Sequence, residues 1–328
     1  MDAPLPRYGL GISNCRGAAQ VVDAVRRAEG LGAEIAFIAE DINCRDSFQL
    51  CAASAAATDR IRLAVGVANP YTRNPTSLAM AIATLDEISG GRAVLGLGSS
   101  SPSLIQRQMG IPTGKSVQVM RECVEIVQRL LSGERVTYQG ERFAYLDAHL
   151  EVRPVQRRVP LILAAMGPLM LRLAGRLADG VLLNVAASTE YIRWACGEIE
   201  RGARDAGRNP AEITVAAWLS VYVADDYDAA LQRAREWLAT MLSIPRQGEL
   251  LLQKAGLDTA ILTGIRRHYS AYPHQGDRAA AARYVPIDVA QRLALIGTQD
   301  VVLERVQEYR DAGVHLPVMP LSALQALS

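Results

Sequence analysis

The chain has 328 residues, half of them apolar, and a formal net charge of +1. That length holds one large α/β domain or two ordinary ones, and the apolar fraction supplies a sizeable core. The near balance of charge argues against nucleic acid or an anionic membrane surface as the main partner, no uninterrupted apolar run reaches the eighteen residues of a membrane span, and the opening MDAPLPRYGLGI lacks the basic-then-apolar pattern of a signal peptide.

In chain order, short apolar runs alternate with amphipathic stretches. RYGLGI (7–12) predicts a strand, and 17–32 a helix with Val21, Val22, Val25 and Ala28 on one face. EIAFIA (34–39) precedes a helix over 47–59. IRLAVG (61–66) precedes one over 75–88, where Pro75 suits a helix start. RAVLGLG (92–98) leads to a helix over 115–132, followed by a polar excursion (133–158). Next come PLILAA (160–165), helix 168–178, GVLLNV (180–185), helix 188–206, the long strand run 212–224 and helix 226–241. An insertion over 242–285 precedes helix 286–296; helix 300–312 and the strand VHLPVM (314–319) follow.

Strands alternating with helices imply a parallel sheet. Eight βα units in this length predict an α/β fold of the closed (β/α)8 TIM-barrel type, a single domain over 1–328. The doubly wound rival would want GxGxxG after the first strand. GLGISNC does not supply it, and GLGSSS after the fourth strand has only GxG. In a barrel the active site lies at the C-terminal ends of the strands. There the third and fourth strands exit through small residues, Gly66-Val67-Ala68-Asn69-Pro70 and Gly96-Leu97-Gly98-Ser99-Ser100-Ser101, which leave room for a flat or bulky ligand.

Glu40 and Asp41 are adjacent carboxylates at the end of the second strand. One could bind a ligand or act as an acid; otherwise they cap the next helix or pair with Arg45. The hydroxyls of Ser99, Ser100 and Ser101 could hold a substrate or cofactor oxygen, or cap the helix that follows. Arg73 reads as a bridge between loops. His149, His268, His274 and His315 are scattered without metal-ligand spacing, so no metal is expected. The five cysteines, Cys15, Cys44, Cys51, Cys123 and Cys196, are odd in number and form no CxxC. They are expected to be reduced thiols of a cytoplasmic protein. The insertion is long for a barrel loop and carries Arg266, Arg267, Arg278 and Arg283, as a lid over an anionic ligand would.

TDRIRLAVGVANPYTRNPTSLAMAIATLDEISGGRAVLGLGSSSP resembles the core of the bacterial luciferase-like superfamily, and within it the deazaflavin-dependent methylenetetrahydromethanopterin reductases. The likeness continues through VPLILAAMGPLMLRLAGRLADGVLLN, EIERGARDAGRNPAEITVAA and LALIGTQDVVLERVQEYRDAGV. It implies a barrel that binds coenzyme F420 or FMN at its mouth, with a non-prolyl cis peptide at Gly66–Val67 backing the ring. By the same likeness Gly98 and Ser99 border the ring and Asn69 bonds its pyrimidine edge. Ala165, Met166, Gly167 and Asn184 line the cofactor tail, and Arg292 matches a phosphate-contacting arginine of glucose-6-phosphate-dehydrogenating relatives.

The sequence also departs from those reductases. Gly11 stands for a first-strand glutamate, Ser101 for an aspartate after the fourth strand, and Asp41 for a histidine. Glu40, Asp41 and Ser101 are therefore the candidate catalytic residues, in a pocket that looks opened and neutralised for a substrate larger or less basic than a pterin. The expected function is hydride transfer between F420 and an unidentified organic substrate at the C-terminal mouth of the barrel. The alternatives are an FMN-dependent monooxygenase and a barrel that has lost catalysis and binds a partner. A homodimer is the expected assembly.

Overall fold

The structure, a computed structural model, describes residues 7–183, 186–271 and 274–327. Eight parallel strands close into a barrel: β1 (Gly9–Ile12), β2 (Ile35–Ile38), β3 (Arg62–Ala68), β4 (Ala93–Leu97), β5 (Leu161–Ala165), β6 (Gly180–Leu183), β7 (Thr214–Trp218) and β8 (Leu316–Met319). Each pairs with its neighbours in sequence, and β8 returns to β1 through Gly9 opposite Val318.

The continuous apolar runs arise because these strands are buried on both faces. In β2, Ala36 and Ile38 point out to the helices, while Ile35 and Phe37 point into the barrel. The interior is a packed plug of Ile35, Phe37, Ala64, Val94, Ile162, Leu182, Ala216, Leu316 and Val318, with Val67 and Trp218 seated on it. The mouth therefore has a floor, and nothing passes through the barrel.

The helices between strands are α1 (Ala18–Gly30), α2 (Ser47–Ala55), α3 (Pro75–Ile88), α4 (Pro102–Met109), α5 (Ser116–Ser132), α6 (Pro168–Leu177), α7 (Thr189–Asp205) and α8 (Tyr227–Ser243). Asp46 caps α2 by accepting from the Gln49 N–H, and Asn74 caps α3 by accepting from Ser77, with Pro75 in the first turn. α4 was not evident in the sequence pattern.

The polar excursion holds an antiparallel hairpin, Val136–Gln139 with Ala144–Ala148. Buried Glu122 of α5 pins its turn by accepting from the Glu141, Arg142 and Phe143 N–H groups. Burial pushes the Glu122 carboxyl up, but those donors and Gln118 outweigh it and hold it below the usual range.

The insertion is helical: α9 (Gln247–Lys254), α10 (Ile261–His268) and α11 (Arg278–Ala282), followed by α12 (Ile287–Leu293), α13 (Gln299–Asp311) and α14 (Leu321–Leu327). Two sequence expectations need correction. The run 212–224 is two strands: after β7 the chain turns, and Val221–Val223 leaves the barrel to pair with Leu295–Gly297. Helix 286–296 accordingly ends at Leu293, because Leu295 and Ile296 are needed in extended form to satisfy that ladder. Among the described residues no helix is long and apolar enough to cross a membrane.

Candidate active site

A cavity of about 500 Å³ opens at the C-terminal ends of the strands. Its floor is Val67 and Trp218. The Gly66–Val67 peptide is cis, at the point where β3 shifts register against β4 between Val65 and Ala68. The glycines beside it serve β3 first, and at Gly96 the Val65 carbonyl oxygen already stands 2.0 Å from where a Cβ would lie. A Cβ on Gly96 would lie 2.9 Å from Val67 Cγ1, and one on Gly98 would lie 2.6 Å from Cγ2. The small residues at the β4 exit thus make room for a floor residue as well as for a ligand.

Asn69 sits on the rim, 3% exposed. Its Oδ1 accepts from the N–H groups of Tyr71 and Thr72 and from the Thr72 hydroxyl, closing an Asx turn. Its Nδ2 has no hydrogen bond among the described residues, so the amide donor is what Asn69 offers the cavity.

Glu40 and Asp41 have separate jobs. The Glu40 carboxylate is engaged: Oε2 accepts from the Ser47 N–H and Oε1 from Arg73 Nε. Arg73 also pairs with Asp46 and lies 4.8 Å from the Phe48 ring centroid. Arg45 donates to the Cys15 carbonyl and does not pair with Glu40. Asp41 is exposed, and its one side-chain partner among the described residues is the Ser13 hydroxyl, at 3.2 Å. Fully buried Asn14 fixes the loop below it. Asn14 Oδ1 accepts from the Asp41 N–H, and its Nδ2 donates to the carbonyls of Asp41 and Arg45.

The expectation of five reduced thiols is overturned here. Cys15 and Cys44 form a disulfide with Cα atoms 4.9 Å apart. They follow β1 and β2, adjacent strands whose exit loops run side by side, so 29 residues of sequence separation become one contact. Cys51 and Cys123 are buried and free, and Cys196 is half-buried and free.

Ala165, Met166 and Gly167 line the wall leading to α6. Gly167 is its N-cap without a side-chain cap, and a Cβ there would meet nothing within 4 Å, so the first turn of α6 is open to an anion. Tyr191, buried in α7, fixes this corner by donating to the Met166 carbonyl. Ser101 occupies the N-cap position of α4 but its hydroxyl makes no capping bond, which leaves it to the cavity. Ser99 and Ser100 also line the cavity, Ser100 with a φ of 52°.

One sequence candidate lies elsewhere, and one is not described. Arg292 is not part of the cavity wall; on α12 it pairs with Glu190 in the first turn of α7 at 2.5 Å. Asn184 lies outside the described residues. Of the insertion arginines, Arg266 is held by Glu249 and by the carbonyls of Ser243 and Ile244. The arginine that does reach the cavity is Arg246, which the sequence reading passed over. It has a φ of 67° and no side-chain partner among the described residues.

The pocket is also less open over Gly11 than the sequence suggested. Trp218 of β7 reaches across β8 and fills that space: a Cβ on Gly11 would lie 2.4 Å from Trp218 Cε2. A shallower cleft of about 380 Å³, among Arg7, Thr214, Arg310 and His315, lies at the opposite end of the barrel, where the strands begin. That end of such a barrel serves stability. Among the described residues no group of three or more His, Cys, Asp or Glu side chains gathers to hold a metal ion.

The family model described as luciferase-like monooxygenase matches residues 6–316. The chain belongs to the luciferase-like monooxygenase family. A 5,10-methylenetetrahydromethanopterin reductase of Archaeoglobus fulgidus is 33% identical over 88% of this chain and 86% of its own length. An F420-dependent glucose-6-phosphate dehydrogenase of Microbacterium testaceum is 29% identical over 74% of this chain and 76% of its own. The solved structure of the coenzyme F420-dependent tetrahydromethanopterin reductase from Methanopyrus kandleri matches with a TM-score of 0.86 at 28% identity, covering 98% of this chain and 97% of that one. This luciferase-like chain carries the family's barrel with a rim built around a disulfide at β1–β2, an indole over Gly11 and a free arginine after α8.

Proposed function

We propose that this protein is an oxidoreductase that binds coenzyme F420 at the barrel mouth and moves a hydride between it and a small organic substrate. The observation that carries the reading is the pairing of an apolar floor at Val67 with the free amide of Asn69 on its rim. A planar ring with a polar edge fits such a floor and rim. An anionic tail fits the open first turn of α6 at Gly167 and the unpaired guanidinium of Arg246. The relatives named above, two of them F420-dependent by name, support the same cofactor.

Bound there, F420 supplies the hydride-carrying ring. The protein supplies the rest. Val67 excludes water from beneath the ring, Asn69 orients its edge, and Asp41 exchanges a proton with the substrate. Ser101 offers a hydroxyl to a substrate oxygen. Glu40 positions this rim through Ser47 and Arg73.

Calorimetric titration with F420 and with FMN tests the reading, with F420 binding expected to be the tighter. FMN binding without F420 binding would replace hydride transfer by flavin chemistry; binding of neither would leave a barrel that serves a partner. Asn69→Asp sharpens the result, since it keeps the acceptor for the turn and removes the amide donor. It should weaken F420 by about three- to ten-fold, the worth of one neutral hydrogen bond, with little change in melting temperature.

A further inference from the structure

The two inward positions of β1, Gly9 and Gly11, carry no side chain; Ile35 and Val318 close in on Gly9, and Trp218 occupies the space above Gly11. A Cβ on Gly11 would lie 2.4 Å from Trp218 Cε2, 2.6 Å from Cζ2 and 2.8 Å from Nε1, so the indole edge lies directly against the β1 backbone. Below, it packs on the barrel plug; above, it lines the cavity. Its ring is held on both sides while part of it stays open to a ligand.

The neighbouring wall is apolar in the same sector. Leu182 and Leu183 end β6, beside β7, and Met241, Ile244 and Pro245 come from the end of α8 and the turn after it. The charged groups around the cavity are Glu40 and Asp41 after β2, and Arg246 past Pro245. Glu40 is engaged by Arg73, which it shares with Asp46. A carboxylate pressed against the Trp218 wall would lose its water and gain no partner there, and a cation would gain only the indole face against the same loss. A flat uncharged group would gain area burial and ring contact.

We infer that Gly11 and Trp218 act as a pair that sets the substrate class: the compartment over β6, β7 and β1 takes a planar, uncharged, largely apolar molecule, with Trp218 as the recognition surface. This rests on the proposed hydride-transfer site but concerns the wall beside it.

The test uses the whole protein and three probes of one shape: coumarin, coumarin-3-carboxylate and the cationic 3-(aminomethyl)coumarin. Calorimetry should give coumarin a dissociation constant at least ten-fold below those of the two charged probes. Trp218→Phe should keep coumarin within about three-fold and keep the discrimination, whereas Trp218→Leu should weaken coumarin ten-fold or more and level the three. Gly11→Ala, which drives a methyl into the indole, should also weaken coumarin, and Gly11→Ala with Trp218→Leu should be no worse than Trp218→Leu alone. Melting curves identify any variant that does not fold, and wild type with Trp218→Phe still decides the question in that case.

Coumarin binding no tighter than its charged analogues, or absent, overturns the inference. So does discrimination unchanged in a folded Trp218→Leu. A parallel F420 titration separates this from the cofactor reading. Neutral-probe preference without F420 binding would sink the proposed function and leave the pair standing. F420 binding without that preference would do the reverse.

Discussion

At the β1–β2 rim, polar groups hold one another. Asn14 binds three backbone groups of the β2 exit loop, the Cys15–Cys44 disulfide ties the two loops, and Arg73 joins Glu40 to Asp46. At the α8–α9 corner, which borders the same cavity, Met241, Ile244 and Pro245 pack as apolar bulk. Its polar anchor, Arg266 with Glu249, holds the carbonyls of Ser243 and Ile244. The first region satisfies nearly all its polar groups internally and presents one open carboxylate, Asp41. The second is fixed beneath and presents one open guanidinium, Arg246. Free charge at the mouth is thus what bracing leaves over, and residue type alone does not show which member of a charged cluster is left.

Breaking the disulfide should have the largest effect. Chain-entropy reasoning for a loop of this length gives about 3–4 kcal/mol at most. Cys15→Ser should lower the melting temperature by several degrees. Alkylation of the denatured, unreduced protein should label the three free cysteines and spare two; labelling of all five would dissolve the contrast between rim and corner.

Asp41→Asn and Glu40→Gln should then part company. The first should cut turnover with F420 by about ten-fold or more, an effect of at least about 1.4 kcal/mol on the barrier, and leave the melting temperature nearly unchanged. The second should lower the melting temperature, because Arg73 and the Ser47 N–H lose a charged acceptor. Steady-state kinetics beside thermal melts would show it, and equal effects from both changes would mean that the two carboxylates are not divided as the hydrogen bonds indicate.

Arg246→Gly should act with opposite signs on binding and stability. F420 affinity should fall about three- to ten-fold, with the gap narrowing in salt. Stability should hold or rise slightly, since glycine accepts a φ of 67° without the cost an arginine bears there. Titrations at two ionic strengths test the first half, and urea melts the second.

The smallest effect is on acid stability. Arg266 pulls the Glu249 carboxyl down from 4.5 to about 2 against the opposing push of burial. A carboxyl depressed in the folded state contributes fully above its unfolded value, and the contribution is lost as pH falls from 4.5 toward 2. Glu249→Gln should flatten the pH dependence of unfolding in that window and leave it unchanged at neutral pH.

The barrel was legible because strands buried on both faces write themselves as short unbroken apolar runs, and β1 to β8 all do so. The floor was legible at Gly66, Val67 and Gly98, where the motif is local. The rest depends on residues far apart in the chain. Cys15 meets Cys44 because β1 and β2 are neighbours, Trp218 fills Gly11's space from across β8, and Glu190 claims Arg292. Arg246 was hidden for a different reason: what brings it to the cavity is a left-handed backbone that residue type does not announce. The run 212–224 misled because an apolar strand inside the barrel and one beside it look the same until their partners are known.

The contact between Gly11 and Trp218 also constrains how this mouth can change over time. A chain with the indole in place cannot gain a side chain at position 11 in one step, since even a methyl would lie 2.4 Å from the ring. Losing the indole first leaves a void on the barrel plug instead. Each single change is therefore worse than either end state, as expected of residues in direct contact. A chain with a side chain at position 11 and a chain with the indole at position 218 are thus separated by a ridge. A chimera that joins the front of one to the back of the other inherits either a collision or a hole, whichever parent supplies the first strand.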